Sequence, residues 1–162
     1  MAIPEILMIE DRVDDRELFS AAVAASGLRA TVVHAVDASQ AVMRVNRLGR
    51  FANLPQPALI VLDLGLPGLQ GQALLEAIRK AYGLREVPVV VLTGSQLESD
   101  RAACRSWGVS DYLVKQESFE KLVEWVRTLA RFLPGQEGIA AAPSAGGAPL
   151  PPSAPATKGK TP

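Results

Sequence analysis

The chain has 162 residues, 48% of them hydrophobic, and its 17 basic residues balance 17 acidic ones. This length suits one domain with a tail, and the neutral balance excludes the global basic field that attracts nucleic acid. A single cysteine, Cys104, excludes an internal disulfide and a cysteine zinc cluster. No apolar run reaches the roughly 18 residues of a membrane span. The N-terminus has no secretory pattern, so we expect a cytoplasmic protein without a membrane anchor.

Short apolar runs alternate with helix-length segments over residues 1–133. Strands are predicted at 5–9, 30–36, 58–62, 87–92 and 110–114. Apolar residues at helical spacing predict helices at about 15–27, 38–48, 71–82, 96–106 and 118–133. This alternation favours an α/β fold with an open, parallel, doubly wound sheet, the (βα)5 arrangement. The third and fourth strands are apolar throughout, which is typical of strands covered on both faces.

Finer helix features follow from the same pattern. Capping boxes are predicted at the pairs Asp14–Glu17, Asp37–Gln40 and Ser95–Glu98. The first helix is expected to bury Leu18, Ala22 and Ala25, and the last to bury Leu122, Val126, Leu129 and Leu133.

The composition changes at Pro134. Residues 134–162 contain seven of the 12 prolines and almost no bulky apolar side chains. Such a segment buries too little apolar surface to offset its ordering entropy. We therefore predict a domain over 1–133 and a disordered Pro/Ala/Gly-rich tail over 134–162, with a polyproline docking peptide at PLPP as the alternative interpretation. No second globular unit is expected after residue 133.

Chemically useful side chains follow four of the five predicted strands. They are Glu10 and Asp11 after the first strand, Asp63 after the third, Thr93 after the fourth and Lys115 after the fifth. Ligands bind at the carboxyl ends of the strands in such sheets, so these side chains are expected to lie together. Three close carboxylates repel one another, and Mg²⁺, which prefers oxygen ligands, would resolve that repulsion. Asp63 in that setting can attack a phosphoryl group and form an aspartyl-phosphate.

Each of these residues has a structural interpretation when it is taken alone. Asp63 can be a turn former, Glu10 and Asp11 can lead into a helix N-terminus, and Thr93 and Lys115 are ordinary polar residues. Their common position at four strand ends favours a phosphoryl site instead. Lys115 would then neutralise charge on the phosphoryl oxygens, and Thr93 would donate a hydrogen bond to them.

The stretches ILMIED, LIVLDLGLPGLQG, VPVVVLTGS and DYLVK resemble the response-regulator receiver domains of two-component signalling, over residues 4–133. The resemblance implies a flavodoxin-like strand order 2-1-3-4-5 and a phosphoryl group accepted on Asp63 from a histidine kinase. It implies that Mg²⁺ is held by Glu10, Asp11, Asp63 and the backbone carbonyl of Gly65. It also implies that Thr93 and Lys115 bind the phosphoryl group and that Tyr112 is a switch aromatic that turns inward with Thr93.

The segment 49–57 and the stretch YGLREVPVVVLTGS resemble single-domain, chemotaxis-regulator-like receivers paired with bacterial phytochromes. A histidine kinase, with a bacterial phytochrome as the candidate, is therefore the expected partner. The resemblance further implies an output surface on the fourth helix, fifth strand and fifth helix, through which two copies would also pair. No nucleic-acid or membrane partner is expected.

The sequence departs from the family pattern in several places. Glu10 replaces the commoner aspartate, and Gln116 follows Lys115 where the family has proline. A trans Lys115–Gln116 bond or a rearranged loop is expected, because a cis bond before a residue other than proline costs ~3–4 kcal/mol. Gly65 and Ser95 are small, so we expect water to reach the acyl phosphate and its lifetime to be short.

A bulky residue near the end of the fourth helix, Trp107, is expected to cover the core from the side or to lie in an interface. Other functions fit the sequence less well. A phosphohydrolase with Asp63 as nucleophile would carry a second acid where Gly65 stands, so a turnover enzyme is not expected. A nucleotide site at GLPGLQG follows the wrong strand and lacks the G-x-G-x-x-G spacing. The remaining alternative, supported by Gln116, is a receiver-like docking module that is never phosphorylated.

Overall fold

The computed structural model describes residues 2–65, 71–81, 86–115 and 118–139. Its strands are β1 (Glu5–Ile9), β2 (Thr31–Ala35), β3 (Leu59–Leu62), β4 (Val89–Thr93) and β5 (Asp111–Val114). Its helices are α1 (Val13–Ser26), α2 (Ala38–Val45), α3 (Gly71–Lys80), α4 (Glu98–Ser106) and α5 (Phe119–Thr128). Two 3₁₀ turns follow α2 and α5, at Gly49–Phe51 and Leu129–Phe132.

The strands form one parallel sheet in the order β2-β1-β3-β4-β5. The predicted strand order is therefore confirmed. Ile9 pairs with Leu62, and Thr93 pairs with Val114, so the carboxyl ends of neighbouring strands finish at the same edge. The order reverses between β1 and β3, and the crevice at that reversal is where doubly wound sheets bind ligands.

The core consists of two apolar layers, one on each face of the sheet. One layer joins the sheet to α2, α3 and α4 and includes Leu7, Ile9, Ile60, Leu62, Leu75 and Ile78. The other joins it to α1 and α5 and includes Ile6, Met8, Val61, Phe19, Val90 and Val126. Every residue of β3 and β4 is buried, which confirms that both strands are covered on both faces.

The helix starts follow the predicted capping boxes only at α2, where Asp37 Oδ1 accepts the Gln40 N–H at 2.7 Å. The box at Asp14 is wrong, because α1 already begins at Val13 and its N-cap residue, Arg12, makes no side-chain cap bond. Arg16 explains the earlier start, since its guanidinium donates to the carbonyls of Glu10 and Asp11 and braces the turn before the helix.

The box at Ser95 is also wrong, because α4 begins at Glu98 and its N-cap residue is Leu97. The Ser95 hydroxyl instead accepts the N–H of Leu97 at 3.3 Å in the loop before the helix. Serine oxygens compete for local backbone donors in this way at turns, so the pattern marked a loop and not a helix start.

The buried face of α1 differs from the predicted one. The helix buries Phe19, Ala22 and Val23, whereas Leu18 is 42% exposed and Ala25 is exposed as well. The larger ring of Phe19 takes the core position beside the sheet, and the inward face is rotated accordingly. The predicted burial of Leu122, Val126, Leu129 and Leu133 is confirmed, but α5 ends at Thr128, so the last two residues lie in and after the 3₁₀ turn that follows it.

The chain continues to pack after Leu133. The side-chain amide of Gln136 accepts the N–H of Arg29 at 3.0 Å and donates to its carbonyl at 2.9 Å. Packing therefore continues at least to Gln136, three residues past the predicted boundary of the domain, and residues 140–162 lie outside the described residues. Gln116 lies outside them too, so the trans Lys115–Gln116 bond stays a prediction.

Trp107 ends α4 and packs, partly buried, against the core layer formed with α2 and α3, which confirms that it covers the core from the side. Within the described part of the chain, none of the helices has the length and apolar character required to cross a membrane.

Candidate functional site

Backbone hydrogen bonds hold the predicted site residues at the carboxyl edge of the sheet. The N–H of Asp63 donates to the carbonyl of Ile9 at 3.1 Å, and the N–H of Lys115 donates to that of Thr93 at 2.7 Å. Both residues thus continue the inter-strand ladder by one position beyond β3 and β5. The structure therefore brings the strand-end residues together, as the sequence predicts.

Lys115 lies at the centre of the site and contacts three carboxylates. Its Nζ lies 2.8 Å from Glu10 Oε2, 2.8 Å from Asp15 Oδ2 and 3.0 Å from Asp63 Oδ2. An ammonium group has three donors, and here each one has a carboxylate oxygen. The side chain is 23% exposed, so these charge-assisted bonds fix its head group at the rim of the core.

Burial and hydrogen bonding together set the charge of the two central acids, Glu10 and Asp63. Glu10 is 0% exposed, and burial raises its pKa to about 7, although the hydrogen bond from Lys115 opposes this rise. Burial also acts to raise the pKa of Asp63, but hydrogen bonds from the Gly65 N–H, Glu10 and Lys115 outweigh it and hold that pKa below its ordinary value. Near neutral pH, Asp63 is therefore ionised, whereas Glu10 is about half protonated.

The pKa of Lys115 itself is raised above its ordinary value. Burial acts against this, but the bonds to Asp15, Glu10 and Asp63 outweigh it. The ammonium therefore stays charged throughout the physiological pH range and provides a permanent positive charge beside Asp63.

Three carboxylates of the site fit a divalent cation. One oxygen each of Glu10, Asp11 and Asp63 lies within 4.8 Å of the other two. Oxygen donors of this kind suit Mg²⁺, which binds through one or two carboxylates and keeps several waters. Asp11 is exposed and opens the site to those waters. The predicted role of the Gly65 carbonyl as a further ligand stays a prediction.

An open cleft of about 510 Å³ lies above these residues, and its lining includes Asp63, Gly65, Thr93, Gly94 and Lys115. The Gly65 N–H donates to Asp63 Oδ1 at 2.9 Å and fixes one oxygen of the carboxylate. Thr93 is buried, and its hydroxyl oxygen accepts the N–H of Ser95 at 3.3 Å. The cleft therefore offers an ionised acid, an ammonium group and a hydroxyl to one incoming group.

Tyr112 connects the cleft to α4. Its ring is buried, and its hydroxyl donates to the carbonyl of Ser95 at 3.2 Å, in the loop that follows Thr93. The guanidinium of Arg101 lies over the ring, 5.2 Å from its centroid. Tyr112 is thus turned inward in this structure, and its role as a switch stays a prediction.

Sequence reasoning missed two acids that line the cleft, Asp15 and Asp100. Asp15 lies in the first turn of α1, and Asp100 accepts a hydrogen bond from the hydroxyl of Ser95. The signal for Asp15 was its position one helical turn after the acid pair Glu10–Asp11, because a helix that leaves the carboxyl edge directs its first turn back toward that edge.

The chain matches known proteins over most of its length. The model of the response regulator receiver domain matches residues 6–127. Response regulator Rcp1 of Synechocystis sp. is 32% identical over 127 residues, which cover 78% of this chain and 86% of Rcp1. A crystal structure of the Mn²⁺-bound form of Rcp1 is similar with a TM-score of 0.72 and covers 82% of this chain and 96% of its own.

Two further solved structures extend this similarity. The phosphorylated cyanobacterial phytochrome response regulator RcpA has a TM-score of 0.75 at 31% identity, covering 83% of this chain and 96% of its own. The bacteriophytochrome response regulator RtBRR has a TM-score of 0.66 at 34% identity, covering 93% of this chain and 86% of its own. Both the sequence comparisons and the structure comparisons thus match this chain to response regulators.

Proposed function

The chain belongs to the response regulator receiver domain family, and we propose that it is a stand-alone regulator that accepts a phosphoryl group on Asp63 from a histidine kinase. One observation carries the assignment of the residue: Asp63, the ionised acid of the site, lies 3.0 Å from the Nζ of Lys115 within a carboxylate group that fits Mg²⁺. The stand-alone arrangement is supported by the 86% of Rcp1 that the chain covers.

The side chains of the cleft suggest how the transfer proceeds. An oxygen of Asp63 attacks the phosphorus of a phosphohistidine; a P–O bond forms while the P–N bond breaks, and its electron pair returns to the imidazole. Lys115 turns its ammonium to a phosphoryl oxygen, and Thr93 donates its hydroxyl to another. Glu10, Asp11 and Asp63 would hold Mg²⁺, which would neutralise charge on the phosphoryl oxygens when bound. The phosphoryl group is transferred to the protein's own Asp63 and not to a separate substrate, so we propose that the chain is a signalling protein and not a turnover enzyme.

Thr93 and Tyr112 would transmit the effect of phosphorylation from the cleft to the surface of the domain. A phosphoryl group that draws the Thr93 hydroxyl moves the loop whose Ser95 carbonyl accepts the Tyr112 hydroxyl. This changes the balance between two arrangements of the surface formed by α4, β5 and α5, which we propose as the partner surface and the homodimer contact. Sedimentation with and without a phosphoryl donor tests the dimer.

The proposed kinase is a bacterial phytochrome, because RcpA and RtBRR are both described as phytochrome response regulators. We propose that the exchange takes place in the cytoplasm and involves neither nucleic acid nor membrane. The test is to mix an autophosphorylated bacterial phytochrome, labelled on its histidine, with the chain and Mg²⁺. Label should move to wild type and not to Asp63→Asn. Label that stays on the kinase with both proteins would support the docking-module alternative for this partner.

A further inference from the structure

We infer that Asp15 is a positioning residue that retains the Lys115 ammonium when Glu10 and Asp63 turn to a divalent cation. This inference rests on the proposed function, because it assigns a separate duty to one acid beside the proposed metal ligands. It concerns an acid that no motif singled out, in the first turn of α1.

Asp15 shares the Lys115 ammonium with the two central acids, Glu10 and Asp63. Asp15 Oδ2 lies 2.8 Å from Lys115 Nζ, as close as Glu10 Oε2. The carboxylate group that fits a cation comprises Glu10, Asp11 and Asp63, and Asp15 lies outside it. Asp15 therefore shares the ammonium with two of the proposed metal ligands and is not itself one of them.

Cation binding changes the partners of Lys115. The oxygens of Glu10 and Asp63 that accept its hydrogen bonds belong to the two carboxylates that would turn to the cation. Without Asp15, the largely buried ammonium would lose both of its remaining partners and be left without a counter-ion, which is strongly unfavourable. Asp15 removes this penalty, since its bond to the ammonium does not involve the cation. The acid thereby favours metal binding although it does not touch the metal.

Asp15 also has an ordinary role to set against this one. Acids in the first turn of a helix interact favourably with the helix dipole, and Asp14 does the same from the preceding position. Arg12 Nε lies 3.7 Å from Asp15, a weak surface contact. Asp14 is exposed and its side chain lies outside the cleft lining, so Asp14→Asn removes the same charge from the same turn and is the matched control.

The test is a Mn²⁺ titration followed by the loss of the free-ion EPR signal, with circular dichroism to verify folding. We expect Asp15→Asn to weaken Mn²⁺ binding about tenfold, the lower end for loss of an outer-shell partner. Asp14→Asn should have a much smaller effect, and Asp15→Glu should recover most of the affinity. In a Lys115→Met background, Asp15→Asn should have no more effect than Asp14→Asn, because there is no ammonium left to hold.

Two results would overturn the inference while the proposed function stands. If Asp15→Asn and Asp14→Asn changed the Mn²⁺ affinity equally, Asp15 would contribute only as a first-turn charge that interacts with the helix dipole. If Asp15→Asn still weakened Mn²⁺ binding about tenfold in the Lys115→Met background, Asp15 would act on the cation without Lys115, either as a ligand or through its charge. If wild type failed to bind Mn²⁺ at all, the metal site of the proposed function would be wrong, and the inference would fall with it.

Discussion

Lys115 Nζ lies 3.0 Å from Asp63 Oδ2, although 52 positions separate the two residues in the sequence. The pair forms because β3 and β5 end at the same edge of the sheet, with β4 between them. Buried carboxylates ordinarily resist ionisation, and this contact helps to keep Asp63 ionised. The reactivity of the acid is therefore a property of the assembled sheet edge and not of the local sequence.

Glu10 should make the metal-free protein less stable as the pH rises. Its pKa is about 7 in the folded chain against an ordinary value of 4.5. The folded state binds this proton more tightly, so the stabilisation is complete below pH 4.5 and is lost as the pH rises through 7. The pKa shift corresponds to a loss of about 3 kcal/mol at most in the free energy of unfolding. Urea denaturation in EDTA at several pH values between 5 and 8 measures it.

Glu10→Gln is the control for that experiment, because it removes the titrating group and keeps a similar shape. His34 works in the opposite direction, since burial lowers its pKa, and the difference between wild type and Glu10→Gln isolates the contribution of Glu10. Adding Mg²⁺ at pH 8 should raise the free energy of unfolding of the wild-type protein, because the cation binds only the folded state. A wild-type free energy of unfolding that rises from pH 5 to 8 as steeply as that of Glu10→Gln would contradict the account.

Gly65 should limit the lifetime of the acyl phosphate. A Cβ added at Gly65 would lie 3.4 Å from Asp63 Oδ1, a contact that the site can accept. Gly65→Asn should therefore be tolerated and should slow hydrolysis several-fold by covering the carboxylate from water. The rate of loss of the acid-labile phosphoryl group measures this. Gly94→Ala is the control, because its added methyl would have no atom within 4 Å. Persistence of the wild-type phosphoryl group for many hours would refute the idea.

Tyr112→Phe should separate the switch from the chemistry. It removes the hydrogen bond to the Ser95 carbonyl and should lower the free energy of unfolding by about 1 kcal/mol. Phosphoryl uptake should persist, because the hydroxyl lies outside the group that contacts Asp63, whereas phosphorylation-linked dimerisation should weaken. Both can be followed on one sample by intact mass and sedimentation. Failure of uptake in this variant would place Tyr112 in the chemistry and contradict its role as a relay.

Gln136 should stabilise the domain from beyond the last helix. Gln136→Ala leaves the Arg29 N–H and carbonyl without their partner and should cost about 1–2 kcal/mol. Glu137→Ala, at the exposed neighbouring position, should cost almost nothing. Removal of residues 140–162 should also leave the free energy of unfolding unchanged if that segment is the disordered tail we predict. Thermal and urea denaturation of these variants provide the comparison.

The sequence was most informative where chemistry and strand ends coincide. Asp63, Thr93 and Lys115 each follow a β-rich apolar run, and the parallel topology leaves only one edge on which they can meet. The sheet order came from the resemblance, because a pattern of strands and helices does not by itself decide which strands are neighbours.

The misses arose where a contact that the local pattern does not reveal decides a helix start or the role of a side chain. Arg16 braces the turn before α1 through bonds to the carbonyls of Glu10 and Asp11, so the helix starts before the predicted cap, and a capping pattern does not reveal those bonds. Asp15 stands in the first turn of α1, and its partner Lys115 lies 100 positions away, so no local pattern marks the pair. Gln136 stands in a segment whose composition predicts disorder, and its contact with Arg29 spans 107 positions.

The intact mass of the protein after incubation with Mg²⁺ and a small acyl-phosphate donor tests the central claim most directly. Wild type should gain the mass of one phosphoryl group, and Asp63→Asn should gain none. Asp37→Asn changes an acid at the start of α2 and should behave as wild type. A wild type that gains no mass with an effective donor, or an Asp63→Asn variant that gains as much as wild type, would contradict Asp63 as the phosphoacceptor.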